Sequence, residues 1–295
     1  MPKPTLQHRV RKIAPGTTLT DYCQQAIPLL GSRTAVKKAV HSKRLLLNGR
    51  PARLNDPLQT GDQLTLTGTG LPKARKFEQE IPVVWEDSHL IVVNKPAGIA
   101  VNGDRIRTLE NALAGSVEPS GEPDALPRPV AVHRIDLPTQ GLVLLAKTKQ
   151  ALMAMSQAFE HNKVHKQYIA VVHGRPAPQG TTRAPLQGKP AETKWEYRRT
   201  VPSRDFGHLS LLELSPVTGR THQLRLHMQQ LGHLIVGDKQ YAGPQKTVLN
   251  KGLMLCACYL SFQHPTTQKP IAIKILPPPK FEKLLDREEA WAKKQ

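Results

Sequence analysis

Residues 131–147 read AVHRIDLPTQGLVLLAK. Val130 and Val132 precede a charged group, His133, Arg134 and Asp136, and the apolar run 142–145 follows it. The pattern is strand, loop, strand, with Pro138 and Gly141 shaping the turn. A loop held at both ends by buried strands is a rigid mount for a reactive side chain. A solvated turn would carry the same letters, so other segments must decide. Asp136 is a candidate general base, metal ligand or nucleophile. No second acid is near in sequence, the next being Glu160. A lone acting carboxylate needs a cation to keep it ionised and oriented.

Residues 218–233, TGRTHQLRLHMQQLGH, offer that cation. Leu224, Met228 and Leu231 form the apolar stripe of a helix ending at Gly232. Arg225 lies off the stripe, one turn from His222; a surface helix with ordinary cations would look the same. A metal site would have to draw on Asp238, His222 and His227, but histidines five apart suit one helical face poorly. Residues 163–174, KVHKQYIAVVHG, read as a strand with Tyr168, Ala170 and Val172 on one face and Ile169 and Val171 on the other. Tyr168 suits a core tyrosine or a platform for an extruded base.

The chain has 295 residues, enough for two domains. Forty-two Lys and Arg face 23 Asp and Glu, a formal charge of +19. That excess is large for an enzyme of small metabolites and suits a polyanion, because bound cations release its counterions. No run approaches the roughly 18 apolar residues of a spanning helix. The opening MPKPTLQHRVRK lacks the apolar segment of a secretion signal. We therefore expect a cytoplasmic protein, a monomer without membrane attachment, with nucleic acid as its partner. Three cysteines argue for a reducing compartment over a disulfide framework. Cys256 and Cys258 share one strand face, and no second pair completes a zinc set. Neither metal nor cofactor is expected.

Four segments are expected: a small basic module at 12–68, a linker at 69–80, a large domain at 81–277, and a terminal helix at 278–295. In the module, Leu19, Cys23, Ala26, Ile27 and Leu30 lie at helical spacing. Thr20 or Asp21 would cap that helix, Gly31 would end it and Ser32 would cap the next. Asn48-Gly49 marks a hairpin, and GDQLTLTG another strand. Arg33, Lys37, Lys38, Lys43, Arg44, Arg50 and Arg53 place seven cations in twenty-one residues with no acid among them. In the large domain, strands are expected at 83–85 and 90–94, and a Gly-, Pro- and acid-rich surface loop at 115–129. Pro277–Pro279 ends the pattern, and Phe281, Leu284, Leu285 and Trp291 turn inward on the last helix.

Two resemblances follow. The stretch GSRTAVKKAVHSKRLLLNGRPARLNDPLQTGDQL resembles a small RNA-binding module of a ribosomal small-subunit protein, the S-four type. It implies that the seven cations contact RNA. His133-Arg134-Ile135-Asp136-Leu137-Pro138-Thr139-Gln140-Gly141-Leu142 resembles the signature H-R-[LI]-D-x-x-T-S-G-[LV] of the RNA pseudouridine synthases related to RluA. Lys166, Tyr168, Ala170, Val172 and Gly174 match its K-x-Y-x-A-x-V-x-G strand. Gly219, Arg220, His222, Gln223, Leu224, Arg225 and His227 match G-R-x-H-Q-[IL]-R-x-H. The departures are Gln140 for Ser, and GIAVNGD at 98–104, where relatives often carry His-Pro-Gly.

The resemblance covers roughly 81–277, and a front module is a common attachment in that family. It implies an α+β fold with a mixed, largely antiparallel central sheet and flanking helices. It also implies isomerisation of uridine in ribosomal or transfer RNA to pseudouridine. Asp136 would be the catalytic carboxylate, Arg225 its partner and Tyr168 the stacking platform. Arg134, Arg220 and His222 would contact RNA. A non-catalytic RNA-binding or ribosome assembly protein on the same scaffold is the alternative, and a metal-dependent hydrolase a distant third.

Overall fold

The computed structural model describes residues 4–11, 13–14, 16–27, 30, 33–67, 77–243 and 251–294. It divides into two compact units, Met1–Ala74 and Arg75–Gln295. Gly31, Ser32 and most of the expected linker 69–80 lie outside the described residues.

The first unit runs β1 (Pro4–Arg9), α1 (Leu19–Ala26), α2 (Arg33–His41), β2 (Leu45–Leu47), β3 (Arg50–Pro51) and β4 (Gln63–Thr67). Its sheet order is β1-β4-β2-β3. Strand β1 pairs with β4, so the unit takes in residues before 12. Leu19, Cys23, Ile27, Val36, Ala39, Leu45 and Leu64 form its core. The cap of α1 is Thr18, ahead of the expected Thr20 or Asp21. Its Oγ1 accepts the Asp21 N–H at 3.1 Å and donates to Asp21 Oδ2 at 2.8 Å, satisfying a helix-end donor. Asn48 at φ 51° and Gly49 at φ 83° form the hairpin turn.

The second unit continues with β5 (Val83–Glu86), β6 (Leu90–Lys95), α3 (Leu109–Leu113), β7 (Ala125–Ala131), β8 (Gln140–Thr148), α4 (Lys149–Glu160) and β9 (His165–His173). It then runs β10 (Gln179–Thr182), β11 (Thr193–Ser203), β12 (Gly207–Pro216), α5 (Gln223–Gln230), β13 (Leu255–Gln263), β14 (Pro270–Lys274) and α6 (Lys280–Ala292). The fold is α+β as expected, built on one long sheet ordered β10-β11-β12-β9-β13-β8-β6-β5, with β14 on β13 and β7 on β8. Among the described paired strands of this sheet, only β13 and β8 run parallel. Strand β7 begins inside the expected 115–129 loop. Pro127 and Pro129 cannot donate to a ladder, so the strand sits at an edge with a register break between Ala125 and Val130.

The buried faces follow the period-two pattern. Val93, Val143 and Leu145 pack under Leu109 and Leu113 of α3. Ala170, Val172, Leu212 and Leu214 pack under Leu224 and Met228 of α5. On the opposite face, Val171, Cys256 and Cys258 pack under Phe281, Leu284 and Leu285 of α6. Leu231, expected in the α5 stripe, is 38% exposed because the helix ends before it.

The position of β13 decides where the site forms. It enters between β8 and β9, so that Gly141, Ala257 and Tyr168 lie in register across three strands. Gly141 sits at φ 118°, and a Cβ there would stand 2.3 Å from the Ala257 carbonyl oxygen. Its absent side chain therefore serves the close approach of β13, more than the turn. Gly141→Ala combines overpacking with an unfavourable backbone region. We expect it to lower the unfolding free energy by about 2–4 kcal/mol in urea titration.

Candidate active site

Asp136 stands on the 132–139 loop between β7 and β8. The Thr139 N–H donates to its carbonyl at 3.1 Å, closing the turn over Leu137 and Pro138. A second turn braces the loop from behind. The buried Lys95 ammonium donates to the carbonyls of Pro96 and Ile99, each at 2.9 Å, and of Leu137 at 3.4 Å. The Gly98 N–H also reaches the Leu137 carbonyl, at 2.8 Å. Burial pulls Lys95 down to about 8, against the opposing pull of the Asp136 charge. His133 is fixed too: its Nε2 accepts the Leu144 N–H at 2.9 Å, which leaves the ring proton on Nδ1 when neutral. Its ring stacks on Phe159, centroids 4.3 Å apart. Burial, then the Lys166 charge, pulls His133 down to about 3.

Arg225, on the first turn of α5, is 3% exposed and meets Asp136 across the site. Its Nη1 donates to Asp136 Oδ2 at 3.2 Å. Its Nε and Nη2 donate to Asp238 Oδ2 and Oδ1 at 2.7 and 2.8 Å, and Nη2 also reaches Gln240 Oε1 at 3.1 Å. Burial disfavours the guanidinium charge, but the hydrogen bonds and charges of Asp238 and then Asp136 raise its affinity for the proton. No acid is near Asp136 in sequence, but Asp238, 102 residues later, shares its cation. Asp238 is no metal ligand with His222 and His227, because His227 is buried elsewhere. Its ring nitrogens lie 2.8 Å from Thr193 Oγ1 and 3.0 Å from the Ala184 carbonyl. Among the described residues no group of three metal-ligating side chains occurs.

Asp136 opens onto a cavity of 420 Å³. Tyr168, Arg134, Arg220, His222 and Arg225 line it as well. Tyr168 is half-buried, and burial, then the Asp136 charge, keeps its hydroxyl protonated well above the usual range. Arg134 is exposed at the rim. Arg220 is also exposed, and its Nε donates to the Pro190 carbonyl at 2.9 Å. Gln223 organises this edge: its Oε1 accepts from Thr218 Oγ1 at 2.7 Å and from the Arg220 N–H at 3.0 Å. The structure thus brings Asp136, Tyr168, Arg225, Arg134, Arg220 and His222 to one cavity.

Lys95, Gln240 and Tyr241 complete the site and were missed as site residues, and Asp238, raised only as a metal-ligand candidate, anchors Arg225 instead. Their available signals were the Lys-Pro pair at 95–96 and the polar run GDKQY at 237–241.

The seven cations of the front unit have unequal surroundings. Lys37, Lys38, Lys43 and Arg53 are exposed. Arg33 and Arg50 are exposed but paired with Asp21 at 3.3 Å and Asp56 at 2.8 Å. The acid-free window concealed those partners, because Asp56 lies three residues after it and Asp21 twelve before it. Arg44 is half-buried and donates from Nε to the Thr67 carbonyl at 2.8 Å, a bond that fastens the turn between α2 and β2 to β4.

Comparison with known proteins agrees with this geometry. Residues 89–230 match the family model described as RNA pseudouridylate synthase. An RNA pseudouridine synthase of Bacillus subtilis, YlyB, is 32% identical over 80% of this chain and 82% of its own. The chain belongs to the RNA pseudouridine synthase family. Ribosomal large subunit pseudouridine synthase D of Zymomonas mobilis is 34% identical over 81% of this chain and 84% of its own. The dual-specificity synthase RluA of Vibrio parahaemolyticus is 35% identical over 62% and 78%. Among solved structures, human RNA Pseudouridylate Synthase Domain Containing 1 superposes with a TM-score of 0.54 at 26% identity, covering 68% of this chain and 84% of that one. This synthase acts on RNA, and none of its described helices is long and apolar enough to cross a membrane.

The Asp238 side chain has no exposed surface, so removing its cation leaves a buried charge uncompensated. Arg225→Leu should lower the unfolding free energy by about 3–5 kcal/mol, and adding Asp238→Leu should recover most of that loss. Urea titration of the two variants checks both.

Proposed function

We propose that this synthase isomerises uridine in structured RNA, ribosomal RNA first and transfer RNA second, with Asp136 as the catalytic carboxylate. The observation that carries the assignment is the Arg225-held carboxylate facing a cavity beside Tyr168. A paired folded uridine must leave its stack, at a cost of a few kcal/mol. Arg134, at the rim, fills the space left or holds the surrounding strand. Tyr168 stacks on the extruded ring. Asp136, kept ionised and aimed by Arg225, acts on the sugar or its proton. The bond from nitrogen 1 to the sugar breaks, the ring turns, and carbon 5 joins the sugar. Carbon 5 loses a proton and nitrogen 1 gains one, so composition is unchanged and no oxidant or nucleotide is consumed.

Ribosomal RNA leads because a relative over most of the chain is named for the large subunit; the dual-specificity relative keeps transfer RNA second. The first unit, residues 12–68 with β1, supplies phosphate contacts through Lys37, Lys38, Lys43 and Arg53, with smaller parts for Arg33, Arg50 and Arg44. Such contacts add affinity with little base discrimination. Residues 81–277 carry the chemistry, and the protein works as a cytoplasmic monomer.

Asp136→Asn should bind RNA as the wild type does and release no tritium from RNA labelled at uridine carbon 5. Full turnover by that variant overturns the assignment, and binding without chemistry by the wild type would favour the assembly-factor reading. Tyr168→Ala should lose most activity. Deleting residues 1–70 should weaken RNA binding and flatten its dependence on salt. An unchanged salt slope removes that unit from the contact surface.

A further inference from the structure

We infer that His222, steered by Tyr241, is a positioning residue for the catalytic carboxylate, presenting a ring N–H to the Asp136 oxygen that Arg225 leaves open. The inference rests on the assignment of Asp136 above. Arg225 holds Oδ2 only. Among the described residues no hydrogen-bond donor holds Oδ1, and His222 Nε2 stands 3.8 Å from it.

The backbone at 222 points to a purpose for that side chain. His222 is the N-cap residue of α5, yet it makes no side-chain cap and adopts φ 54°, ψ 24°. A left-handed conformation outside glycine costs roughly 1–3 kcal/mol and persists where the surroundings demand it. A Ser, Asp or Asn here would cap the helix. The histidine forgoes the cap and turns its ring into the cavity.

Tyr241 pairs with the other ring nitrogen. Its hydroxyl lies 2.6 Å from His222 Nδ1. The phenol ring is itself held under the Arg225 guanidinium, 4.8 Å from ring centre to carbon, and the Tyr241 backbone N–H donates to Asp238 Oδ1 at 3.3 Å. A tyrosine hydroxyl can donate or accept, and the Asp136 carboxylate beside Nε2 sets the direction: a ring proton on Nε2 is favoured there, and the hydroxyl then donates to Nδ1. A hydroxyl donating to Nδ1 leaves the ring proton on Nε2, aimed at Oδ1. The other tautomer would set a lone pair against a carboxylate oxygen. The neutral ring therefore suffices for the role.

At 3.8 Å the contact is longer than an N–H···O bond of about 2.7–3.2 Å. It acts as a stop: Arg225 anchors one oxygen, and His222 limits the swing of the other without occupying it. Misplacing a reacting group by about 1 Å can cost on the order of a hundredfold in rate.

Tritium release from ribosomal RNA transcripts labelled at uridine carbon 5 tests the inference, with wild type and Asp136→Asn as references. His222→Asn keeps a residue that tolerates positive φ but falls short of Asp136. It should lower kcat at least about tenfold and leave KM within about twofold. His222→Gln, whose amide can donate from a longer arm, should recover part of kcat. Tyr241→Phe leaves the backbone at 222 untouched, so it probes the same contact even if the His222 variants fold poorly. It should lower kcat less, and add little in the His222→Asn background. An unchanged kcat, a raised KM with kcat kept, or losses that simply multiply would each overturn the inference; the second would make His222 an RNA contact alone. A wild type that releases no tritium, or an active Asp136→Asn, would instead remove the carboxylate assignment and this inference with it.

Discussion

One guanidinium shared between two carboxylates organises the second unit's site. Asp238, with no exposed side-chain surface, takes Nε and Nη2 of Arg225, and this leaves Nη1 for Asp136. A buried ion pair is a poor source of stability, because desolvation offsets much of its attraction. Its use here is directional. The planar fork is fixed by the buried acid, so its remaining edge faces one way, toward the partly exposed acid. The carboxylate proposed as catalytic is thereby aimed before RNA arrives, and no binding energy is consumed in orienting it.

The same logic extends outward. Tyr241 lies under the guanidinium and is tied to Asp238, and its hydroxyl holds the His222 ring. On the far side, Lys95 uses its donors on three carbonyls and so ties the loop that carries Asp136 to the 96–99 turn. Buried lysine is costly to desolvate, which explains its lowered proton affinity. Removing it would leave those carbonyls short of a donor.

What could be read from the letters alone follows from the range of each interaction. The 136 loop, the alternating faces of the Tyr168 strand, the Asn48-Gly49 hairpin and the inward residues of the last helix are local patterns, set by period and turn chemistry. Tyr241 and Lys95 were not legible as site residues, nor Asp238 as the anchor of Arg225, because their roles arise only when distant segments meet. Gly141 was read as a turn residue, whereas the constraint on it comes from Ala257 on a strand more than a hundred positions later. The residues at 125–129 resembled a loop because prolines imitate one, yet an edge strand tolerates them. Arg225 was singled out by the motif resemblance; its helix alone suits a surface cation equally well, since no helical period reveals a buried acid elsewhere in the chain.

The late strand at 255–263 has a consequence in time. It separates the strand that leaves the Asp136 loop from the strand that bears Tyr168, and it pairs with both. Until that segment has been synthesised and inserted, the two halves of the sheet have no common neighbour to align them. Sheets joined by such distant partners assemble slowly. A growing chain therefore carries Asp136 and Tyr168 without the pocket between them until this later strand has joined the sheet.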